Sequence, residues 1–171
     1  MCFQSSRLNA RLDDKGNIIL LKYQDRSKWH RPFIQKGFDY LDAAAEPFEV
    51  SAYHFEAAIA SLHAAAPSFE QTDWKTIYQL YEVLIGLQPS PIVALNKAIA
   101  SAYAINREHA LAELHQIKGL ENYYLYYTSI GEMYLELALK QEARENFEKA
   151  LSLTASNTEK QFLQEKIILC R

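Results

Sequence analysis

Five histidines, His30, His54, His63, His109 and His115, first invite a chemical reading, because imidazole both ligates metals and carries protons near neutral pH. Their spacing argues against a shared metal. On a helix, His54 and His63 fall on about opposite faces, and His109 and His115 are also off-face. A zinc site would want a His-x3-His or Cys-x2-Cys step, and neither occurs. Cys2 and Cys170 stand at opposite ends of the chain, which is no disulfide framework and fits a reduced, cytoplasmic setting. There is no strand-to-helix elbow carrying a nucleophile and no glycine-rich phosphate loop. Carboxylates alternate with cations, as in Lys140-Gln141-Glu142-Ala143-Arg144-Glu145, the pattern of a solvated helix face. The sequence therefore predicts no catalytic residues, no metal and no cofactor. Surface or capping roles are the default for the histidines.

The chemistry that remains is binding. Gln24-Asp25-Arg26-Ser27 is a polar turn ahead of a helix, in the basic part of the chain. Residues 1–40 hold eight Lys or Arg against four acids, and the remainder holds ten against seventeen. Asp25 or Ser27 suffices to cap the helix. Arg26 suits a carboxylate held through two parallel hydrogen bonds, on a neighbouring helix or on another domain. The plainer reading is a cap with an internal ion pair. A second candidate is Tyr123-Tyr124-x-Tyr126-Tyr127: four tyrosines in five residues cover more than one helix face, so Tyr124 and Tyr126 are candidates to grip a peptide while the others pack.

Stepping outward, 49% apolar and 23% charged residues describe a globular chain, and five Gly and five Pro are too few for a turn-rich β fold. A net charge of −3 gives no general attraction to nucleic acid. No apolar run is long enough for a bilayer, and Met1-Cys2-Phe3-Gln4-Ser5-Ser6-Arg7 is no signal peptide. Met1 to about Arg11 reads as a helix tail, and 13–17 as a turn. Ile18-Ile19-Leu20-Leu21 reads as an extended segment or loop anchor. A helix follows from about Trp29 to Ala45, with Phe33, Ile34, Phe38 and Leu41 at helical spacing. Pro47 interrupts, and a second helix runs from about Phe48 to Ala65. Thr72 or Asp73 caps a third through Leu87, with Trp74, Ile77, Tyr78, Tyr81 and Leu84 on one face and Trp74 largely buried. Further helices are expected at about 91–104, 107–117 and 157–170, the last near the cap Asn157.

Between them, residues 122–154 carry Tyr127, Ile130, Gly131, Tyr134, Ala143, Phe147 and Ala150 in the order and spacing of one tetratricopeptide repeat. Gly131 admits a second helix closely, Tyr127 and Tyr134 fill the space between the pair, and Ala143 is small at the crossing. Such a repeat cannot bury its apolar face alone, so it implies neighbours. The expected fold is all-α: antiparallel helix pairs stacked as a short tetratricopeptide-like α-solenoid. The expected division is an N-terminal helical segment, 1–70, containing the Gln-Asp-Arg-Ser loop, and one compact repeat unit, 71–171, with a C-terminal capping helix.

Several strings carry a more specific resemblance. Met1 to Arg7 and Leu20-Leu21-x-x-Gln24-Asp25-Arg26-Ser27-x-Trp29 resemble the region that follows the DNA-binding part of certain bacterial extracytoplasmic-function sigma factors, a group with a long helical C-terminal extension. The resemblance continues through Tyr53 to Ala60, Thr72-Asp73-Trp74 and Pro89 to Ala98, and ends in Thr158 to Leu163. It implies a cytoplasmic module whose promoter-reading and polymerase-binding domains lie upstream, with Met1 an internal position of the longer protein. The implied role is regulatory: contact with the attached sigma domains and RNA polymerase, and with promoter DNA only through those domains. A free-standing adaptor scaffolding cytosolic proteins is the alternative.

Overall fold

A computed structural model of the protein describes residues 1–44 and 50–171. The described residues form nine α-helices and no strand; the one β-bridge pairs Leu12 with Ile18. The fold is all-α. Pro47 and the start of the second expected helix at Phe48 lie outside the described residues.

The chain divides into two compact units, Met1–Pro89 and Ser90–Arg171. The expected division fell near residue 70, with everything beyond it a single unit. The difference turns on one helix: the Trp74 helix packs on the helix before it, inside the first unit.

The first unit holds α1 (Cys2–Ser6), α2 (Arg31–Ala43), α3 (Ala52–Ala65) and α4 (Trp74–Leu87). α1 packs on α2 and α3, α2 on α3, and α3 on α4. After α1 the chain makes a short 3-10 turn and then an Asp13 turn. There the Asp13 carboxylate accepts from the Lys15 and Asn17 amides, both at 2.8 Å. The core is Phe3, Ala10, Trp29, Ile34 and Ala64, joined by Leu21, Phe38 and Ala60. Of the face expected on α2, Ile34 is buried but Phe33 is 41% exposed. Gly37 takes its place at the closest approach: a β-carbon there would stand 2.6 Å from the Phe3 ring.

α2 begins at Arg31, not Trp29, because two caps act in series. Asp25 closes a 3-10 turn at Arg26–Lys28, and His30 Nδ1 then accepts from the Phe33 amide at 3.2 Å with Pro32 in the first turn. The Asp73 carboxylate caps α4, accepting from the Thr76 amide at 3.0 Å. Trp74 is buried, with Nε1 donating to the Phe69 carbonyl and the indole against the rings of Phe69 and His63.

The second unit holds α5 (Pro91–Ala104), α6 (Arg107–Gln116), α7 (Tyr124–Glu136), α8 (Lys140–Leu153) and α9 (Asn157–Leu169). Each packs on the next, and α5 also touches α7. Ser90 caps α5 ahead of Pro91 at the first helical position, and Asn106 caps α6 with a 2.7 Å bond from the His109 amide. The cap of α9 is Ser156 rather than Asn157. One core cluster gathers Leu95, Ala98, Leu114, Ile130 and Met133; another gathers Ala143, Phe147, Ala150 and Leu163. α7 stands between them. Gly131 on α7 lies under Phe147 of α8, where a β-carbon would come within 2.7 Å of the ring. Lys166 of α9 forms a buried ion pair with Glu132 of α7 at 2.6 Å. No helix among the described residues is long and apolar enough to cross a membrane.

Candidate functional site

The Gln24–Ser27 loop is pinned by its own side chains. Gln24 is buried, and its Nε2 donates to the Ile19 carbonyl at 3.0 Å. The exposed Asp25 carboxylate accepts from the Ser27 amide at 2.8 Å and from the Ser27 hydroxyl at 2.6 Å. Those two bonds hold the Asp25 carboxyl below its ordinary range. Arg26 Nη1 donates to the main-chain carbonyl of His63 on α3, so the loop is tied to a helix distant in sequence. The internal partner expected for Arg26 was a carboxylate; the structure supplies a carbonyl. Glu70 acts on Arg26 only as a nearby charge that partly opposes the effect of burial on its guanidinium. Gln24 and Arg26, which a cap alone leaves without a task, both hold the loop down.

Around this loop lies a cluster that local spacing does not reveal. The Arg26 guanidinium carbon sits 4.1 Å from the centroid of the Trp29 indole, and that of Arg7 sits 5.5 Å from it. Trp29 is 3% exposed. Burial, with Arg11 and Arg26 as like-charged neighbours, lowers the Arg7 guanidinium to about 10. His63 lies beneath. Its burial, together with Arg7 and Arg26, lowers its imidazole to about 4, and its ring meets Trp74 edge-on at 5.1 Å. The available sequence signal was the basic excess of residues 1–40; what it could not supply was the convergence of Arg7 and Arg26 on one tryptophan, with Arg11 a like charge acting on Arg7.

The tyrosine cluster is drawn inward. Tyr123 and Tyr126 pack against the Leu114–Ile130 cluster, and Tyr124 and Tyr127 against the Phe147 cluster. The Tyr124 hydroxyl donates to Glu159 at 2.6 Å and Tyr126 to the Leu114 carbonyl at 3.1 Å. Burial, and for Tyr124 the Glu159 carboxylate, raise both phenols above their ordinary value. Tyr127 donates to the Glu121 carbonyl at 3.3 Å. Tyr134 touches both clusters and meets His115 Nε2 at 3.1 Å through its hydroxyl. Gly131, Ala143, Phe147 and Ala150 are all buried.

The other histidines are accounted for singly. His30 caps α2. His54 Nδ1 accepts from the Ser51 amide at the start of α3. His109 lies 3.7 Å from Glu113. Among the described residues no three His, Cys, Asp or Glu side chains converge as a metal site would require. A groove beside α1, lined by Phe3, Gly37, Tyr40, Leu41, Tyr53 and His54 among others, is largely apolar.

Residues 1–45, which carry α1, the loop and α2, match the model of a family of unknown function, DUF6596. Over 168 residues, 98% of the chain, the sequence is 37% identical to an uncharacterized protein of Rhizobium meliloti (strain 1021). The chain spans 40% of that relative's length. No solved structure matches the chain.

Proposed function

We propose that this chain is a regulatory, protein-binding module of tetratricopeptide-like helix pairs, and that it forms the C-terminal extension of a bacterial sigma factor of the extracytoplasmic-function type. The observation that carries the reading is the ordered resemblance of its strings, from Met1–Arg7 through Gln24–Trp29 and Pro89–Ala98 to Thr158–Leu163. The repeat part is supported by the α7–α8 pair, where Gly131 lies under Phe147, Ala143 and Ala150 are buried, and Tyr134 packs against both clusters. The relative from Rhizobium meliloti extends well beyond the match, which accommodates further domains. On this reading the module works in the cytoplasm, by binding rather than by catalysis. Its partners are the attached sigma domains and RNA polymerase, and it meets promoter DNA only through those domains.

The test uses the full-length protein that contains this module. It should co-purify with core RNA polymerase and direct transcription from its own promoter, and deletion of the module should change that output at unchanged protein level. A full-length protein that neither binds polymerase nor alters transcription on deletion would sink the reading. Binding of the intact form, but not of the deleted form, to other cytosolic proteins with no effect on transcription would point to an adaptor instead.

A further inference from the structure

Two guanidiniums, of Arg7 and Arg26, lie over Trp29, Arg11 adds a like charge acting on Arg7, and the donors of the three exceed their acceptors. Among the described residues Arg7 has no hydrogen-bond or ion-pair partner. Arg11 makes only long contacts with Gln4, at 3.5 Å, and Arg26 donates to the His63 carbonyl. The Nε atoms of Arg7, Arg11 and Arg26, Arg26 Nη2 and Trp29 Nε1 are closed off from water with no acceptor. Trp29 is more than nine-tenths buried, and its indole nitrogen is only a donor. Buried donors of this kind are almost always satisfied in folded proteins. Like charges held together and shielded from water repel, unless an opposite charge joins them. The unsatisfied atoms of the three arginines and Trp29 all donate, and the loop's own unsatisfied acceptor, Gln24 Oε1, is a neutral amide oxygen, so the partner these cations suit is an anion.

We propose that the cluster of Arg7, Arg11, Arg26 and Trp29 opens at Arg7 to bind an oxyanion of the phosphate class, as inorganic phosphate or as a phosphomonoester on a small molecule. Charge decides between oxyanions. A carboxylate offers one negative charge and two oxygens to three guanidiniums. A phosphate carries up to two charges near neutral pH and three or four oxygens, enough to meet several guanidiniums at once. Arg7 gives the way in: of its guanidinium nitrogens only Nε is sealed from water without an acceptor, and among the described residues its one partner is the Trp29 ring. His63 provides an internal reporter. It faces Arg7 from the end of α1, Arg26 from the loop and Trp74 from α4, with Glu70 acting through Arg26. An anion between the two guanidiniums cancels part of the field that keeps His63 neutral, so binding raises the His63 pKa. By linkage, protonation of His63 in turn tightens the hold on an anion of fixed charge. This inference does not depend on the sigma-factor reading.

The experiment titrates inorganic phosphate into the 171-residue chain at constant ionic strength, following tryptophan fluorescence and the His63 ring signal by NMR. A saturable response is expected, with the His63 titration moving upward when phosphate is bound. Arg7→Gln, which removes no hydrogen bond, should weaken binding at least tenfold in a protein that still melts cooperatively, and Arg26→Lys should weaken it as well. Glycerol phosphate binding more tightly than inorganic phosphate would support the site and assign the ester as its source. Acetate matching phosphate, duplex DNA binding where free phosphate does not, an unchanged His63 titration, or full binding by Arg7→Gln would each overturn the proposal. If Arg7→Gln fails to fold, the His63 shift in the unmodified chain still decides.

Discussion

Burial holds the His63 imidazole near 4, and the Arg7 and Arg26 guanidiniums push it the same way. The unfolded chain restores the ordinary value of about 6.5, so between those limits it binds a proton that the folded chain refuses. A depressed histidine therefore contributes stability that is complete above about pH 6.5 and is lost as pH falls toward 4. The loss is on the order of 2–3 kcal/mol over that interval. Melting temperature measured from pH 7.5 to 4 should fall in this window, and His63→Phe, which keeps an aromatic ring against Trp74, should flatten the fall. An equal slope in both proteins would show that other groups set it. Such a site is hard to read from sequence for a physical reason. Gln24 to Ser27 stood out because polar residues before a helix are a local pattern. Arg7 follows α1 and His63 lies on α3, and only tertiary packing brings them to Arg26 and its loop. The loop is therefore legible in the sequence while the helix it is fastened to is not, and Arg26 meets a main-chain carbonyl in place of the expected carboxylate.

Among the elements, α4, α5, α6 and α9 are legible because their starts are marked by strong chemistry: Asp73, Ser90 with Pro91, Asn106 and the polar Ser156-Asn157 pair. By contrast, α7 and α8 have no side-chain cap and are legible only through the repeat pattern. α2 was placed too early because Asp25 resembles a helix cap while closing only a 3-10 turn. Two glycines allow helix contacts, but only Gly131 belonged to a recognisable pattern; Gly37 under Phe3 had none. The contact at Gly131 sets the sign of a simple comparison. Alanine replacing glycine inside a helix gains about 0.5–1 kcal/mol from backbone entropy. At Gly86 of α4 a β-carbon meets nothing within 4 Å, so Gly86→Ala should raise the melting temperature. At Gly131 the same atom would stand 2.7 Å from the fully buried Phe147 ring, and overpacking costs about 1–3 kcal/mol. Gly131→Ala should lower it, and Gly131→Leu should lower it further. Equal shifts at Gly86 and Gly131 would contradict the close α7–α8 approach. The turn between these helices offers a third substitution. Ala138 has φ +60, with its amide bonded to the Leu135 carbonyl and the Leu139 amide to the Tyr134 carbonyl, the pattern of a helix ending in a left-handed residue. A β-carbon in that conformation costs about 1–2 kcal/mol, so Ala138→Gly should stabilise the protein by roughly 1 kcal/mol, measured by urea denaturation. A lower midpoint for Ala138→Gly would mean that the unfolded chain's entropy outweighs the relieved strain.

For the molecule as a whole, the sequence showed the punctuation but not its rank. Pro89 and Pro91 were visible as breaks, and they coincide with the division between the two compact units. The α4 face of Trp74, Ile77, Tyr78 and Tyr81 resembled the first helix of a repeat, which drew the expected boundary back to residue 70. Periodicity reports that a helix has an apolar face and is silent about which neighbour covers it. In the structure α3 covers that face in part, and His63 and Phe69 meet Trp74 there. The second unit carries what a self-sufficient core requires. Phe147, Leu114 and Leu163 are fully buried within its own clusters, and the Glu132–Lys166 pair and the Tyr124–Glu159 bond close it internally. Its helices follow one another with short links, so most of its contacts are local and should form quickly. Residues 90–171 expressed alone should therefore give a helical circular dichroism spectrum and a single cooperative melting transition. Glu132→Ala in this fragment, leaving Lys166 buried without its partner, should cost about 3–5 kcal/mol and lower or abolish that transition. A broad, non-cooperative melt of the unmodified fragment would show that its core is completed by residues outside it, and the division at Pro89 would then mark a bend in one folding unit.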